Sequence, residues 1–181
     1  MASNYFLFGN ITPAADVWLQ RILMIELPDF QDIGCIGFSG TDRGMNENQS
    51  KLLFEFLSYC FERGFRTFRH GDCIGSDDQA AGIAKSIGFY VIAHPGFRAT
   101  KPDDTSMRAF SKHNHQVLPI KECLKRNQDI VNMSKFLLAT PRQSYNVTRS
   151  GTWTTVRYAT KHKKNVYLAF PNQDRISIHH V

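Results

Sequence analysis

Nowhere does the 181-residue sequence hold an apolar run approaching the roughly 20 residues that a membrane-spanning helix needs. Its opening, MASNYFLFGN, lacks the basic start and long apolar stretch of a secretory signal. Neither membrane insertion nor secretion is expected, and a cytoplasmic protein is. Cysteine is sparse: Cys35, Cys60, Cys73 and Cys123 stand far apart with no CxxC pair, so a zinc knuckle or a thioredoxin-type redox motif has no support. Reduced thiols packed in a core are expected, with Cys73 alone falling inside a polar motif. His94, His113, His115, His162, His179 and His180 form no metal-ligand spacing with nearby acids, and no metal is expected.

Acidic residues are missing altogether from Lys135 to Lys164, where Lys135, Arg142, Arg149, Arg157, Lys161, Lys163 and Lys164 stand. Over the whole chain 22 Lys and Arg face 16 Asp and Glu, a net charge of +6, so this one stretch accounts for the excess. A basic balance favours polyanionic partners, either nucleic acid or phosphorylated small molecules. With 42% hydrophobic and 21% charged residues, the composition is that of a single domain with one sizeable core.

From residue 33 onward short apolar runs alternate with longer segments of helical period, which specifies α/β layers around a mainly parallel sheet. Ile33–Gly40, Arg66–His70, Phe89–Ala93, Lys135–Thr140 and Asn165–Phe170 read as strands. Asn46–Arg63, Asp77–Ile87, Ile120–Met133 and Gly151–His162 read as helices. The order predicts a Rossmann-like three-layer fold of about five strands with helices on both faces. Phe97–Pro119 is polar and without period, as expected of a lid, a partner surface or a disordered insert. Residues 1–32 form an N-terminal extension in which Val17–Ile25 has the spacing of a short helix, and residues 33–181 form the domain.

In open parallel sheets ligands bind beyond the carboxyl ends of the strands, so the residues following each strand are the informative ones. After the first strand come Gly37, Ser39, Gly40, Thr41 and Arg43, a glycine turn with added donors that suits phosphate. A tight strand-to-helix connection would also need such glycines for backbone reasons alone. After the second comes His70-Gly71-Asp72-Cys73-Ile74-Gly75-Ser76-Asp77. Ser76 or Asp77 is equally a helix N-cap, but capping does not account for His70 and Asp72 in the same turn. A carboxylate there suits sugar hydroxyls or a base edge better than phosphate. The last helix opens with Arg149-Ser150-Gly151-Thr152, where free N–H groups, the positive helix end and a guanidinium coincide. It is the strongest phosphate candidate in the chain, although an ordinary capped helix with a solvated arginine has the same residues.

Taken together, Gly37-x-Ser39-Gly40-Thr41, His70-Gly71-Asp72-x-x-Gly75-x-Asp77, Arg126-Asn127 and Ser150-Gly151-Thr152 with Thr155 resemble the SLOG superfamily over residues 33–171. That superfamily includes DprA/Smf DNA-processing proteins, LOG-type phosphoribohydrolases and YpsA-like proteins. The HGDxxGxD turn points to the YpsA-like branch. The resemblance implies a nucleotide or nucleotide-derived ligand at the strand ends and a homodimer or higher homo-oligomer. It places the phosphate on Ser150, Gly151 and Thr152 with Gly40 and Thr41, gives Asp72 and Asp77 the ordering of the second turn, and lets Arg126, beside Asn127, reach the ligand. LOG-type hydrolases carry a glutamate where Thr155 stands, and threonine cannot act as a carboxylate base.

Three functions follow as expectations: a binding protein or sensor for a nucleotide-type small molecule; a nucleotide N-glycosidic hydrolase or transferase using Asp72, Asp77 or Asp78; and a DprA-like binder of single-stranded DNA. The third rests on the basic segment, with Tyr145, Trp153 and Tyr158 as stacking groups. No resident cofactor beyond such a ligand is expected.

Overall fold

Hydrophobic alternation along the central strand Phe136–Thr140 (β7) sets out the architecture. Phe136 and Leu138 enter one core, and Leu137 and Ala139 the other, as expected of a strand whose successive side chains point to opposite faces. All five of its residues are buried, the mark of a parallel sheet covered on both sides. The protein is seen here as a computed structural model, which describes residues 34–179. The helix expected within residues 17–25 lies outside the described residues.

The described chain runs through Cys35–Gly40 (β1), Glu47–Glu62 (α1), Thr67–His70 (β2), Ser76–Ile87 (α2), Tyr90–Ala93 (β3), Gly96–Phe97 (β4), Gln116–Val117 (β5) and Lys121–Glu122 (β6). It continues through Cys123–Asn132 (α3), β7, Gly151–Lys161 (α4), Val166–Leu168 (β8) and Ser177–His179 (β9). Seven strands form one sheet in the order β5-β3-β2-β1-β7-β8-β9, parallel except for β9, which runs antiparallel to β8. The predicted Rossmann-like α/β fold is therefore the observed one. The five expected strands gain β5 and β9 at the edges, each too short to show a period, and β4 pairs with β6 in a separate ribbon.

Residues of α1 and α2 pack on one face of the sheet around Phe38, Phe56, Phe68 and Phe136, and residues of α3 and α4 pack on the other around Leu137, Trp153 and Val156. Local sequence explains where the helices begin. Asn46 accepts from the Gln49 N–H at 2.8 Å while the Gln49 side chain accepts from the Asn46 N–H at 3.3 Å, a reciprocal capping box. Gln49 is also buried, and its Nε2 donates to the carbonyls of Pro141 (3.1 Å) and Ala169 (2.9 Å), fixing where the chain leaves β7 and β8. Ser150 caps α4 through its Oγ, which accepts from the Trp153 N–H at 3.3 Å.

From β1 the chain builds outward through β2 and β3, then returns to build the other way through β7 and β8. The direction reverses between β1 and β7, and a crevice opens beyond their carboxyl ends. Among the described residues no helix is long and apolar enough to cross a membrane.

Candidate functional site

At this reversal lies a cavity of about 490 Å³. Ser39, Gly40 and Thr41 reach it from the end of β1, Asp77 from the start of α2, and Arg126 and Asn127 from α3. Arg149, Ser150, Gly151 and Thr152 reach it from the loop and first turn of α4. Four segments far apart in sequence thus converge, each delivered by the end of a strand or the start of a helix. The opening turn of α4 leaves N–H groups without intrahelical acceptors, and the helix dipole adds positive potential there. A Cβ on Gly151 would meet nothing within 4 Å, so the approach to these groups is open.

The second turn is organised by Asp77. Its Oδ2 accepts from the N–H groups of Gly71 at 2.9 Å and Cys73 at 3.3 Å, drawing the turn over the start of α2. Gly75 sits at φ 86°, and a Cβ there would overlap the Asp42 carbonyl oxygen, so only glycine suits this position. The first and second turns are joined where the Ser76 N–H donates to the Thr41 carbonyl at 3.0 Å.

Arg126 occupies the centre. It is buried, with 6% exposure, and passes beside Gly71, where any Cβ would overlap its Nη1. Its Nη2 donates to Cys73 Sγ at 3.3 Å, its Nη1 stands 3.9 Å from Asp77 Oδ2, and its Nε has no partner. Burial, with the nearby Asp77 carboxylate adding to it, pushes the Cys73 thiol up to about 11, so at neutral pH it contributes no negative charge. Asp77 is already engaged by two backbone donors. The result is a buried, permanently charged guanidinium with incomplete local neutralisation, open to a cavity. Arg98, Arg142 and Arg149 also line the cavity, against the carboxylates of Asp42 and Asp77, so cations predominate.

The remaining candidates lie off the cavity. Gly37 is mid-strand beneath Ile130 and Ser134. Arg43 is exposed beside the first turn, with its N–H donated to Thr41 Oγ1 at 3.3 Å. His70 and Asp72 are buried and bonded to the segment that follows β4, while Gly71 and Gly75 shape the backbone. Thr155 is buried and turns its hydroxyl onto the Gly151 carbonyl at 3.0 Å.

Sequence reasoning missed several lining residues. Arg142, Gln143 and Val147 come from the loop before α4, Cys73 and Ile74 from the second turn, and Cys123 from the start of α3. Arg98, Ser106 and Met107 come from the aperiodic stretch Phe97–Pro119. The signal available for Arg142 was its place in the acid-free segment; nothing in the periodicity marked Met107. Among the described residues no group of three or more His, Cys, Asp or Glu side chains is placed to hold a metal ion.

No protein-family model matches the sequence, and no curated protein does either. Solved structures do match in fold. The molybdenum cofactor binding protein of Rippkaea orientalis superposes with a TM-score of 0.59 at 18% identity, covering 77% of this chain and 78% of that one. The molybdenum cofactor carrier protein of Chlamydomonas reinhardtii gives 0.53 at 23% identity, covering 76% of each chain. DNA processing protein A of Helicobacter pylori, described by its single-stranded DNA binding mode, gives 0.50 at 16% identity, covering 75% of this chain and 65% of that one. The fold is thus shared with proteins described by their binding or carriage of the molybdenum cofactor and with one described by its single-stranded DNA binding.

Proposed function

We propose that this chain binds a nucleotide or nucleotide-derived small molecule in the cavity between β1 and β7, as a binding protein or sensor. The phosphate lies against the first turn of α4 and the Arg126 guanidinium, with Ser39, Gly40 and Thr41 along its other side. One observation carries this reading: Arg126 is buried, lines the cavity and keeps an unpartnered Nε, so an anionic ligand completes a charge the protein leaves incomplete. The molybdenum cofactor proteins that share the fold support a small-molecule ligand at this architecture. The HGDxxGxD turn supports a place in the SLOG superfamily nearest its YpsA-like branch, and with it a homodimeric or higher assembly in the cytoplasm.

Calorimetric titration and thermal-shift measurements with nucleoside mono- and diphosphates, ADP-ribose species and cyclic nucleotides test the reading. Binding tighter than about millimolar that is lost in Arg126→Met supports it, and an intact fold that takes none of them counts against it.

N-glycosidic hydrolysis or transfer is the second reading. Of its candidates Asp77 lines the cavity and Asp72 does not, but Asp77 Oδ2 is already held by two N–H groups. Free base released from nucleoside monophosphates, and lost in Asp77→Asn, would establish it. Single-stranded DNA binding is the third. Tyr145 is 68% exposed and available to stack a base, whereas Trp153 is buried and Tyr158 stacks on His162. Retention of single-stranded DNA with steep salt dependence would favour it over a small ligand.

A further inference from the structure

Between β4 and β5 the chain is anchored at its middle rather than left open. The Ile74 N–H donates to the Met107 carbonyl at 2.9 Å and the Ala109 N–H to the Asp72 carbonyl at 2.8 Å, while Cys73 and Arg108 face each other as an antiparallel bridge. Side chains repeat the attachment. Arg108 Nε and Nη2 donate to Asp72 Oδ2 at 3.0 and 2.7 Å, and the Ser111 N–H and Asn114 Nδ2 donate to Oδ1, each at 3.3 Å. Asp72 is fully buried and sits at φ 55°, a conformation that non-glycine residues seldom adopt unless their surroundings hold them there. His70 closes the circuit. The Asp72 N–H donates to its Nδ1 at 3.2 Å, so the ring proton lies on Nε2 and is donated to Asn114 Oδ1 at 2.7 Å.

This attachment has a consequence inside the cavity. It holds Met107 beside Ile74, and both line the same cavity as Arg126 and the start of α4. Ile74 is 47% exposed, a large aliphatic side chain left uncovered in a pocket otherwise rich in arginine. An aliphatic group and a polarisable thioether offer phosphate nothing, but they suit the face of a planar ring.

We infer that Met107 and Ile74 receive the heterocyclic ring of the ligand, and that Asp72 and Arg108 are positioning residues that hold this apolar platform in place. The inference rests on the nucleotide reading above and assigns the two ends of the ligand. The anchored segment reads the ring, while Arg126 and α4 hold the phosphate. Asp72 then acts through Arg108 and not on the ligand.

Calorimetric titration of AMP, GMP and ribose 5-phosphate against the wild-type chain, Met107→Ala, Ile74→Ala and Arg108→Gln tests it, with amide hydrogen exchange of each unliganded variant. Met107→Ala and Ile74→Ala should weaken AMP and GMP about tenfold, as expected for one lost aliphatic contact, and leave ribose 5-phosphate within about twofold. Arg108→Gln should reproduce that pattern and speed exchange at Ala109 and Ser111, with protection in β1 and β7 kept. Should the ring-bearing and ringless ligands change equally in Met107→Ala and Ile74→Ala, or not change at all, the ring assignment is overturned. Unchanged exchange and affinity in Arg108→Gln overturns the positioning role. A wild-type chain that holds ribose 5-phosphate but gains nothing from the base refutes the platform alone. One that holds none of the three refutes the nucleotide site as well.

Discussion

Gly71 and Arg126 occupy one space. A side chain on residue 71 would overlap the Arg126 Nη1, so the glycine of the second turn is there to let a guanidinium from α3 pass behind it. The Gly71 N–H is at the same time donated to Asp77 Oδ2, the carboxylate nearest that guanidinium. Turn and cation therefore form a single unit.

Gly71→Ala should displace Arg126 and lower stability by about 1–3 kcal/mol, the usual cost of overpacking a filled site. AMP affinity should fall with it by at least about tenfold. Thermal denaturation and calorimetry check the two effects. A variant with wild-type affinity would show that Arg126 has no part in binding.

Arg126→Met keeps the volume of the side chain and removes a buried charge. Because the buried Asp77 carboxylate then loses its nearest cation, stability should fall by about 3 kcal/mol. Affinity for AMP should drop about a hundredfold, in the range seen when a buried charge loses its partner. Lost stability with retained affinity would mark the arginine as a packing element.

Position 151 separates helix electrostatics from ligand binding. A Cβ there meets nothing within 4 Å, so Gly151→Ala should be tolerated and stabilise by about 0.4–1 kcal/mol through the unfolded chain. Gly151→Asp should also favour the helix, because a carboxylate suits its N-terminus, yet it should repel a phosphate from the same place. Equal AMP affinity in the two variants, measured by calorimetry, would remove α4 from the site.

Acid should weaken the fold through His94. Burial, reinforced by the neighbouring Arg69 guanidinium, lowers this imidazole to about 4 from its ordinary 6.5. Arg69 Nη1 lies 3.1 Å from its Nε2, an arrangement that suits the neutral ring. Above pH 6.5 neither the folded nor the unfolded chain is protonated here, and the group contributes nothing to pH dependence. Between 6.5 and about 4 the unfolded chain takes up a proton that the folded one refuses, so stability falls as pH falls, by at most about 1.4 kcal/mol per pH unit from this group. Chemical denaturation across that window, compared with His94→Gln, measures the contribution. Identical profiles would assign the acid sensitivity elsewhere.

Periodicity and punctuation made the framework legible. The buried run at Phe136–Thr140, the helical spacing of Leu52, Leu53, Phe56 and Leu57, and the stop at Gly64 are local patterns, and each marks its element without help from the rest of the chain. The edge strands Gln116–Val117 and Ser177–His179 are not of this kind. They exist because β3 and β8 offer open edges, and two or three residues are too few to carry a period. The converging turns at residues 39–41 and 149–152 were visible as glycine and hydroxyl clusters after strands, since open parallel sheets bind ligands at such places.

What the sequence by itself determined, then, is the order of strands and helices along the chain, the glycine and hydroxyl clusters at their ends, and the basic character of the segment 135–164. These depend on short-range spacing and on composition. Only the tertiary structure decided which charged groups face the crevice. Asp72 and Asp77 lie five positions apart in one turn, yet Asp77 lines the cavity and Asp72 is consumed by Arg108, a partner 36 residues along the chain. Met107 is held at the site through its carbonyl, which accepts the Ile74 N–H, and through the neighbouring bonds of Arg108 and Ala109 to Asp72. Such pairings are set by long-range packing, in which a buried carboxylate takes whatever donors the fold brings to it, and no local pattern in the chain announces them.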